Sequence, residues 1–269
     1  MAIRLSDIWP ISELEQYKVH FARWNKIAQP LDVWARSKRE WQTWNEYKPA
    51  NNDFNREYIF SLVQFYHETN TWLFGGIFRV LQRHDDRYEI ELANFGRSYI
   101  GRLKIGSNYR ERATRVNFEN HYPEFIVKEI LPEPYSGRMF PGYDEIELSF
   151  SELETLVKNE RLDWKTALKN VKGVYLITDI TTEKRYIGSA YGSEGIWSRW
   201  NGYVKSGHGG NVELKELVND PSLEYCRKSF RFALLEYRSF QTSDETIFSR
   251  ENYWKRVLLT RGDSGLNRN

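Results

Sequence analysis

The chain has 269 residues, 40% of them hydrophobic and 16% aromatic, with a formal net charge of only +2. That is enough apolar material for two modest domains or one large one, and a charge so near neutral leaves any nucleic-acid contact to local clusters. The single cysteine, Cys226, excludes an internal disulfide and a cysteine-based zinc site. No apolar run approaches the roughly 18 residues of a membrane span and residues 1 to 10 lack a signal-peptide core, so a soluble, cytoplasmic protein is expected.

Residues Ser12 to Gln16 suit a short acidic helix, and Tyr17 to Trp24 an imperfect alternating strand whose polar face carries His20. After Gln29-Pro30, Asp32 can cap one helix with Leu31, Trp34, Trp41 and Trp44 near helical spacing, ended by Pro49 and the Asn51-Asn52-Asp53 cluster. A tryptophan stripe of this kind reads as a helix seam. Six strands are then predicted in succession: Tyr58 to Tyr66, Trp72 to Leu81, Arg87 to Ala93, Ser98 to Ile105, Thr114 to Phe118 and Phe125 to Leu131. The turns between them favour a mainly antiparallel curled sheet or small β-barrel with flanking helices. Gly75-Gly76 inside the second of these strands marks a bulge, a sharp bend or the close approach of another backbone or a ligand.

Arg97, Arg102, Lys104, Arg110, Arg112 and Arg115 form a basic run opposed only by Glu111 and interleaved with Tyr99 and Tyr109. Such a run is commonly a solvated face, but cations mixed with aromatic rings also suit phosphate contact and base stacking. The Pro/Gly-dense stretch from Leu131 to Gly142 places a domain boundary nearby, drawn here as 1–145 and 146–269. Ser149 or Ser151 can cap a helix through about Lys158, and Asp163 another through Asn170.

The stretch from Gly173 to Tyr203 carries the most chemistry. Gly173 to Ile177 and Arg185 to Gly188 flank a polar turn, reading as a β-hairpin with Tyr175 on one strand and Tyr186 on the other. A helix from about Gly195 then sets Arg199 and Tyr203 four residues apart, on one face. Two phenols and a guanidinium beside a short sheet make a grip on a phosphodiester. Further on, Asn211 to Val218 reads as a helix ended by Asn219-Asp220-Pro221, Phe230 to Tyr237 as a third strand, and the residues after Ser243 as a helix with Ile247, Trp254 and Leu258 on its apolar side. Glu251 falls on that side, where a carboxylate needs a partner or a metal.

Gly173-Val174-Tyr175, Tyr186-Ile187-Gly188, Arg199, Glu251 and Asn267, in this order and on these predicted elements, resemble the GIY-YIG nuclease superfamily over about Val171 to Asn267. The resemblance implies a small α/β domain around a three-stranded antiparallel sheet that hydrolyses DNA phosphodiesters with one divalent metal, Mg2+ or another such as Mn2+. It implies that Glu251 holds the metal and Arg199 grips the scissile phosphate. Tyr175 would help deprotonate or position the attacking water, Tyr186 would orient nucleophile or phosphate, Tyr203 would take part in proton transfer, and Asn267 would support the site by hydrogen bonding. His208, in a glycine-rich loop, is a candidate substrate contact beside Arg97, Arg102, Lys104, Arg110 and Arg112. Taken singly, each residue also has an ordinary structural reading, including an Arg199–Glu251 ion pair.

By composition and architecture the first half resembles the PUA, EVE and SRA group of base-reading barrels. The resulting expectation is an α+β, metal-dependent DNA endonuclease whose first domain reads double-stranded DNA, in the first instance a modification-dependent restriction endonuclease that captures a modified base. The alternatives are a type II restriction endonuclease reading an unmodified sequence and a non-catalytic nucleic-acid-binding protein. A homodimer is compatible with double-strand cleavage by one site per chain.

Overall fold

The computed structural model describes residues 2–218, 222–262 and 265–267, so the expected helix stop at Asn219-Asp220-Pro221 lies outside the described residues. The chain divides into two compact units between Tyr135 and Ser136. That point lies inside the Pro/Gly stretch but ahead of 145/146, because Phe140 and Tyr143 pack on the core of the second unit. Among the described residues no helix is long and apolar enough to cross a membrane.

The first unit opens with the short helix α1 (Leu5–Ile8), and Leu14–Gln16 forms a single 3₁₀ turn. Strand β1 (Tyr17–Ala22) is followed by helices α2 (Pro30–Arg36) and α3 (Lys38–Glu46). The single helix expected here is two, because Ser37 turns extended and its hydroxyl accepts the backbone N–H of Glu40, starting α3 afresh. Strands β2 (Tyr58–Gln64), β3 (Thr71–Arg83), β4 (Tyr88–Leu92), β5 (Leu103–Gly106), β6 (Arg115–Asn117) and β7 (Ile126–Ile130) complete it. They form a curled, open seven-stranded sheet in the order β6-β1-β2-β3-β5-β7, with β4 also on β3. Its one departure from an antiparallel ladder is β1, which runs parallel to β2.

Both faces of this sheet are covered. Val19, Phe21, Phe60, Leu62, Trp72 and Phe74 share one core, while Trp34, Trp41, Ile59, Val63, Leu73 and Phe78 belong to another. Alternation along doubly buried strands accounts for their nearly continuous apolar runs. Gly75-Gly76 is where the long strand β3 changes partner, from β5 at Thr71–Leu73 to β4 at Phe78–Arg83, and Gly75 is the extra residue of a bulge opposite Ser61 and Leu62 of β2. A Cβ on Gly75 would stand 2.7 Å from the Trp41 ring, whose Nε1 donates to the Gly75 carbonyl at 3.0 Å. The close approach foreseen there is by an indole.

The expected strand from Ser98 is instead a 3₁₀ turn, Arg97–Tyr99, with β5 beginning only at Leu103. Gly96 and Gly101 on either side hold positive φ, which a continuous strand does not allow.

In the second unit, β8 (Glu147–Ser149) leads into α4 (Phe150–Lys158), whose N-terminus is closed by a reciprocal capping box between Ser149 and Glu152. Then come α5 (Leu162–Lys169), β9 (Val171–Asp179), β10 (Arg185–Ala190), α6 (Gly195–Ser206), α7 (Val212–Leu217), α8 (Glu224–Ser229), β11 (Phe230–Ser239) and α9 (Asp244–Val257). The sheet is antiparallel in the order β10-β9-β11-β8, four strands where three were expected. The extra strand is too short to register as a pattern in sequence. Asp163 does not cap α5; its carboxylate accepts from the Phe140 N–H and pairs with Arg161, tying down the start of the unit.

Candidate active site

The register of the hairpin places the site. Tyr175 lies opposite Gly188 and Tyr186 opposite Ile177, so both tyrosines and Gly188 project from the same face of β9 and β10. The Tyr175 ring leans across Gly188. A Cβ built there would stand 2.4 Å from the phenol oxygen and 2.6 Å from Cζ, so this position admits only hydrogen. Gly173 is similarly constrained, with the Glu236 carbonyl 2.3 Å from where a Cβ would sit, beside the bulge at Leu234/Glu236 in β11.

Helix α6 crosses that face and sets Arg199 and Tyr203 one turn apart. The two phenol oxygens of Tyr175 and Tyr203 are 3.0 Å apart, and Arg199 Nε donates to Tyr175 Oη at 3.0 Å. Tyr175 and Tyr203 are completely buried, between Trp200 and Phe232. Burial pushes both phenols well above their ordinary pKa, so both stay neutral. The Tyr175 oxygen beside it drives the Arg199 guanidinium further into its charged form. The terminal nitrogens of Arg199 make no hydrogen bond or ion pair among the described residues, and neither does the Tyr186 hydroxyl.

These free groups face two adjoining polar clefts of about 480 and 360 Å3, both lined by Tyr186, Arg199 and Glu251. Gly209, Gly210, Asn211, Lys255 and Asn267 line the larger and Ser189, Tyr191 and Phe248 the smaller. Tyr175 and Tyr203 line neither.

Helix α9 supplies the carboxylate. Its inward stripe runs Ile247, Glu251, Lys255 at four-residue spacing, and the Trp254 indole is drawn aside by donating to Glu236 at 3.0 Å. Glu251 therefore has its partner: Lys255 Nζ is 2.8 Å from Oε1, and the Ser189 hydroxyl donates to Oε2. Arg199 does not pair with it.

Asn267 spans the outer edge of β10, accepting from the Ile187 N–H at 2.9 Å and donating to the Ile187 carbonyl at 2.8 Å. It closes the exposed edge of the strand that carries Tyr186.

A magnesium-type ion is commonly held by one or two carboxylates, with water and substrate phosphate completing the shell. Among the described residues no group of three or more acidic, histidine or cysteine side chains stands ready to hold a metal. Glu251, which lines both clefts, is the carboxylate that could hold such an ion with the substrate completing its shell, and Glu213 also lines the larger cleft.

The other substrate candidates do not converge. His208 Nδ1 accepts from the Gly210 N–H at 3.0 Å, which shapes the loop rather than the cleft lining. Lys104 is buried against Glu68 and Glu129, Arg97 and Arg102 bond backbone carbonyls, and Arg115 packs over Phe54 beside Asp53. Arg110 makes one long contact to Asn70 at 3.4 Å, and Arg112 stays exposed. A 3₁₀ turn and two short strands split the run, so it makes no continuous basic face.

The first unit has its own polar cleft of about 400 Å3, between Tyr66–Trp72 and Ser107–Arg110. Tyr109 stacks on Phe21 at 4.2 Å and the Arg23 guanidinium lies over both Tyr109 and Trp72, while Tyr66 and the exposed His67, tilted against each other at 4.2 Å, also line the cleft.

Reading the sequence missed Ser189, Lys255, Tyr191 and Phe248. Lys255 was accessible from its spacing, four after Glu251. The others depend on how α9 meets the end of β10.

No family model and no curated protein matches the chain. Among solved structures it is similar to one described as the catalytic domain of the homing endonuclease I-TevI, with 26% identity over 36% of this chain and 98% of that chain, at a TM-score of 0.28.

Proposed function

We propose that the second unit is a metal-dependent endonuclease that hydrolyses DNA phosphodiesters. The observation that carries this reading is Arg199: Tyr175 holds it by Nε, and its terminal nitrogens face a polar cleft shared with Tyr186 and Glu251. A guanidinium fixed from behind with its fork free suits a phosphate oxyanion better than a structural ion pair.

In this reading Arg199 binds the non-bridging oxygens of the scissile phosphate and stabilises the charge that builds on them during attack. The Tyr186 hydroxyl, unengaged by protein, orients the phosphate or the incoming water. Tyr175 and Tyr203, neutral and buried, are positioning residues that fix the guanidinium. Glu251, now paired with Lys255, would hold the divalent cation, Mg2+ or Mn2+. Such an ion, when bound, neutralises charge on the phosphate and leaving oxygen. DNA is the substrate that the motif resemblance implies.

The test is incubation of the full chain with linear duplex DNA and Mg2+ or Mn2+, followed by denaturing electrophoresis. Cleavage by the wild type and a loss of at least about 100-fold in Arg199→Ala are expected. A wild type inert with both ions overturns the proposal.

Target choice falls to the first unit, and with it the restriction role. Tyr109 and Trp72 in its cleft are already covered, so base capture there would have to use Tyr66 and His67. Matched DNAs with unmodified and 5-methylated or hydroxymethylated cytosine measure this directly. Equal rates remove modification reading from the proposal, and preferential cutting of modified DNA restores it.

A further inference from the structure

The smaller of the two clefts has a wall that phosphate chemistry does not require. Tyr191, just beyond the end of β10, and Phe248, on α9 one turn before the helix reaches Asn252, meet edge to face with centroids 4.7 Å apart and planes at 79°. They are 44% and 41% exposed, although neighbouring aromatics of this unit such as Trp197 and Trp200 are buried. The Tyr191 hydroxyl has no hydrogen-bond partner among the described residues, so no polar contact accounts for its place. Gly192 follows Tyr191, and a Cβ there would meet nothing within 4 Å.

The same cleft is lined by Arg199, Tyr186 and Glu251. An apolar aromatic surface therefore adjoins the free guanidinium within a single concavity. In a nucleic acid, a flat apolar ring is joined through one sugar to each phosphate, so a phosphate on Arg199 brings a base within reach of the wall. A simple phosphate ester offers nothing that would cover these rings.

Resting on the nuclease reading of this site, we propose that Tyr191 and Phe248 form a stacking wall for the nucleobase next to the scissile phosphate. The wall selects a nucleic-acid strand over other phosphodiesters, and it favours a base that has left its own stack. Aromatic stacking on bases tolerates any base identity, so the wall contributes affinity and placement without fixing a sequence.

The full chain is mixed in EDTA with duplex DNA in which 5-iodouracil replaces thymine, irradiated at long wavelength, and digested for peptide mapping. A crosslink on Tyr191 or Phe248 is expected. In parallel, Tyr191→Ala and Phe248→Ala are assayed for cleavage with Mg2+, where a fall of at least about fivefold each is expected, with the larger part in KM. Tyr191→Phe, which keeps the ring, should recover the cleavage lost in Tyr191→Ala. Placing a mismatch beside the cut site should raise the wild-type rate and leave the alanine variants unaffected.

Wild-type cleavage with undiminished alanine variants, or crosslinks confined to other peptides, overturns the wall while leaving the nuclease reading intact. A wild type that neither binds nor cuts DNA overturns both. Circular dichroism of the variants separates a lost contact from a lost fold.

Discussion

Gly188→Ala is a one-carbon test of how the site is held. The added methyl would meet Tyr175 Oη at 2.4 Å and Cζ at 2.6 Å, where carbon contacts settle near 3.5 Å, so the ring must retreat by about 1 Å. It has little room to do so, being fully buried against Trp200 and Tyr203. Overpacking of this kind costs about 1–3 kcal/mol, and breaking the bonds from Tyr175 Oη to Tyr203 and Arg199 adds about 1–2 kcal/mol for buried groups left unpaired. The expected loss is therefore about 2–5 kcal/mol of stability in the second unit. Because the displaced hydroxyl positions Arg199, DNA cleavage should fall further, by about 100-fold for a misplacement of this size. Gly202→Ala is the matched control. It lies within α6 with nothing within 4 Å of a new Cβ, and alanine should stabilise the helix by about 0.5–1 kcal/mol. Urea unfolding followed by tryptophan fluorescence gives both stabilities. A Gly188→Ala protein as stable as the wild type, or one that is destabilised but cleaves normally, would refute the account of Tyr175 as the support of Arg199.

Tyr186→Phe removes a hydroxyl with no hydrogen-bond partner among the described residues, so its stability should stay within about 0.5 kcal/mol while cleavage drops at least tenfold, read by the same unfolding and gel assays. Glu251→Gln should abolish metal-stimulated cleavage and retain DNA binding, measured by mobility shift with and without Mg2+. Asn267→Ala deletes both bonds to the Ile187 backbone and should destabilise the second unit by about 1–3 kcal/mol, visible as a lower urea midpoint. Burial alone would raise the Glu154 carboxyl, but Arg227 and Lys158 override it and hold it below its ordinary pKa. This carboxylate therefore stabilises the fold above the unfolded value near 4.3 and the contribution is lost as pH falls below that, a dependence that Glu154→Gln should flatten in acid titrations followed by circular dichroism.

The hairpin, the α6 helix and the α9 helix were legible because each rests on local pattern: alternation about a polar turn, and apolar spacing after a cap. Arg199 and Tyr203 followed from i, i+4 spacing on one such element. What sequence could not supply was exposure. Tyr175 and Tyr186 look equivalent as letters on paired strands, yet one is enclosed and the other lines the clefts. In the first half, the basic run looked coherent because charge along a chain carries no record of burial. Lys104 is sequestered between two carboxylates, and Gly96 and Gly101 bend the segment so that its cations point to different places. The parallel pairing of β1 with β2 was equally hidden, since strands buried on both faces read alike in either direction.

The difference between the two hairpin tyrosines redistributes the chemistry. A phenol serves as a general base only if its pKa approaches the working pH, and burial moves Tyr175 the opposite way despite the adjacent guanidinium. The bond from Arg199 Nε instead uses the Tyr175 oxygen as an acceptor, which requires no ionisation. In the proposed reaction, proton removal from water would then fall to the clefts, where Tyr186, the Glu251–Lys255 pair and Glu213 are the titratable groups besides Arg199 that line the larger one. A carboxylate that already carries a lysine can exchange it for a cation without leaving a bare charge, and the lysine so released stays one helical turn away. This gives Lys255 a place in the reaction that the order of the motifs does not disclose: Lys255→Met should weaken cleavage while leaving the Glu251 carboxylate free to take up metal, so a Mg2+ requirement that shifts to lower concentration would support the exchange, and an unchanged requirement would refute it.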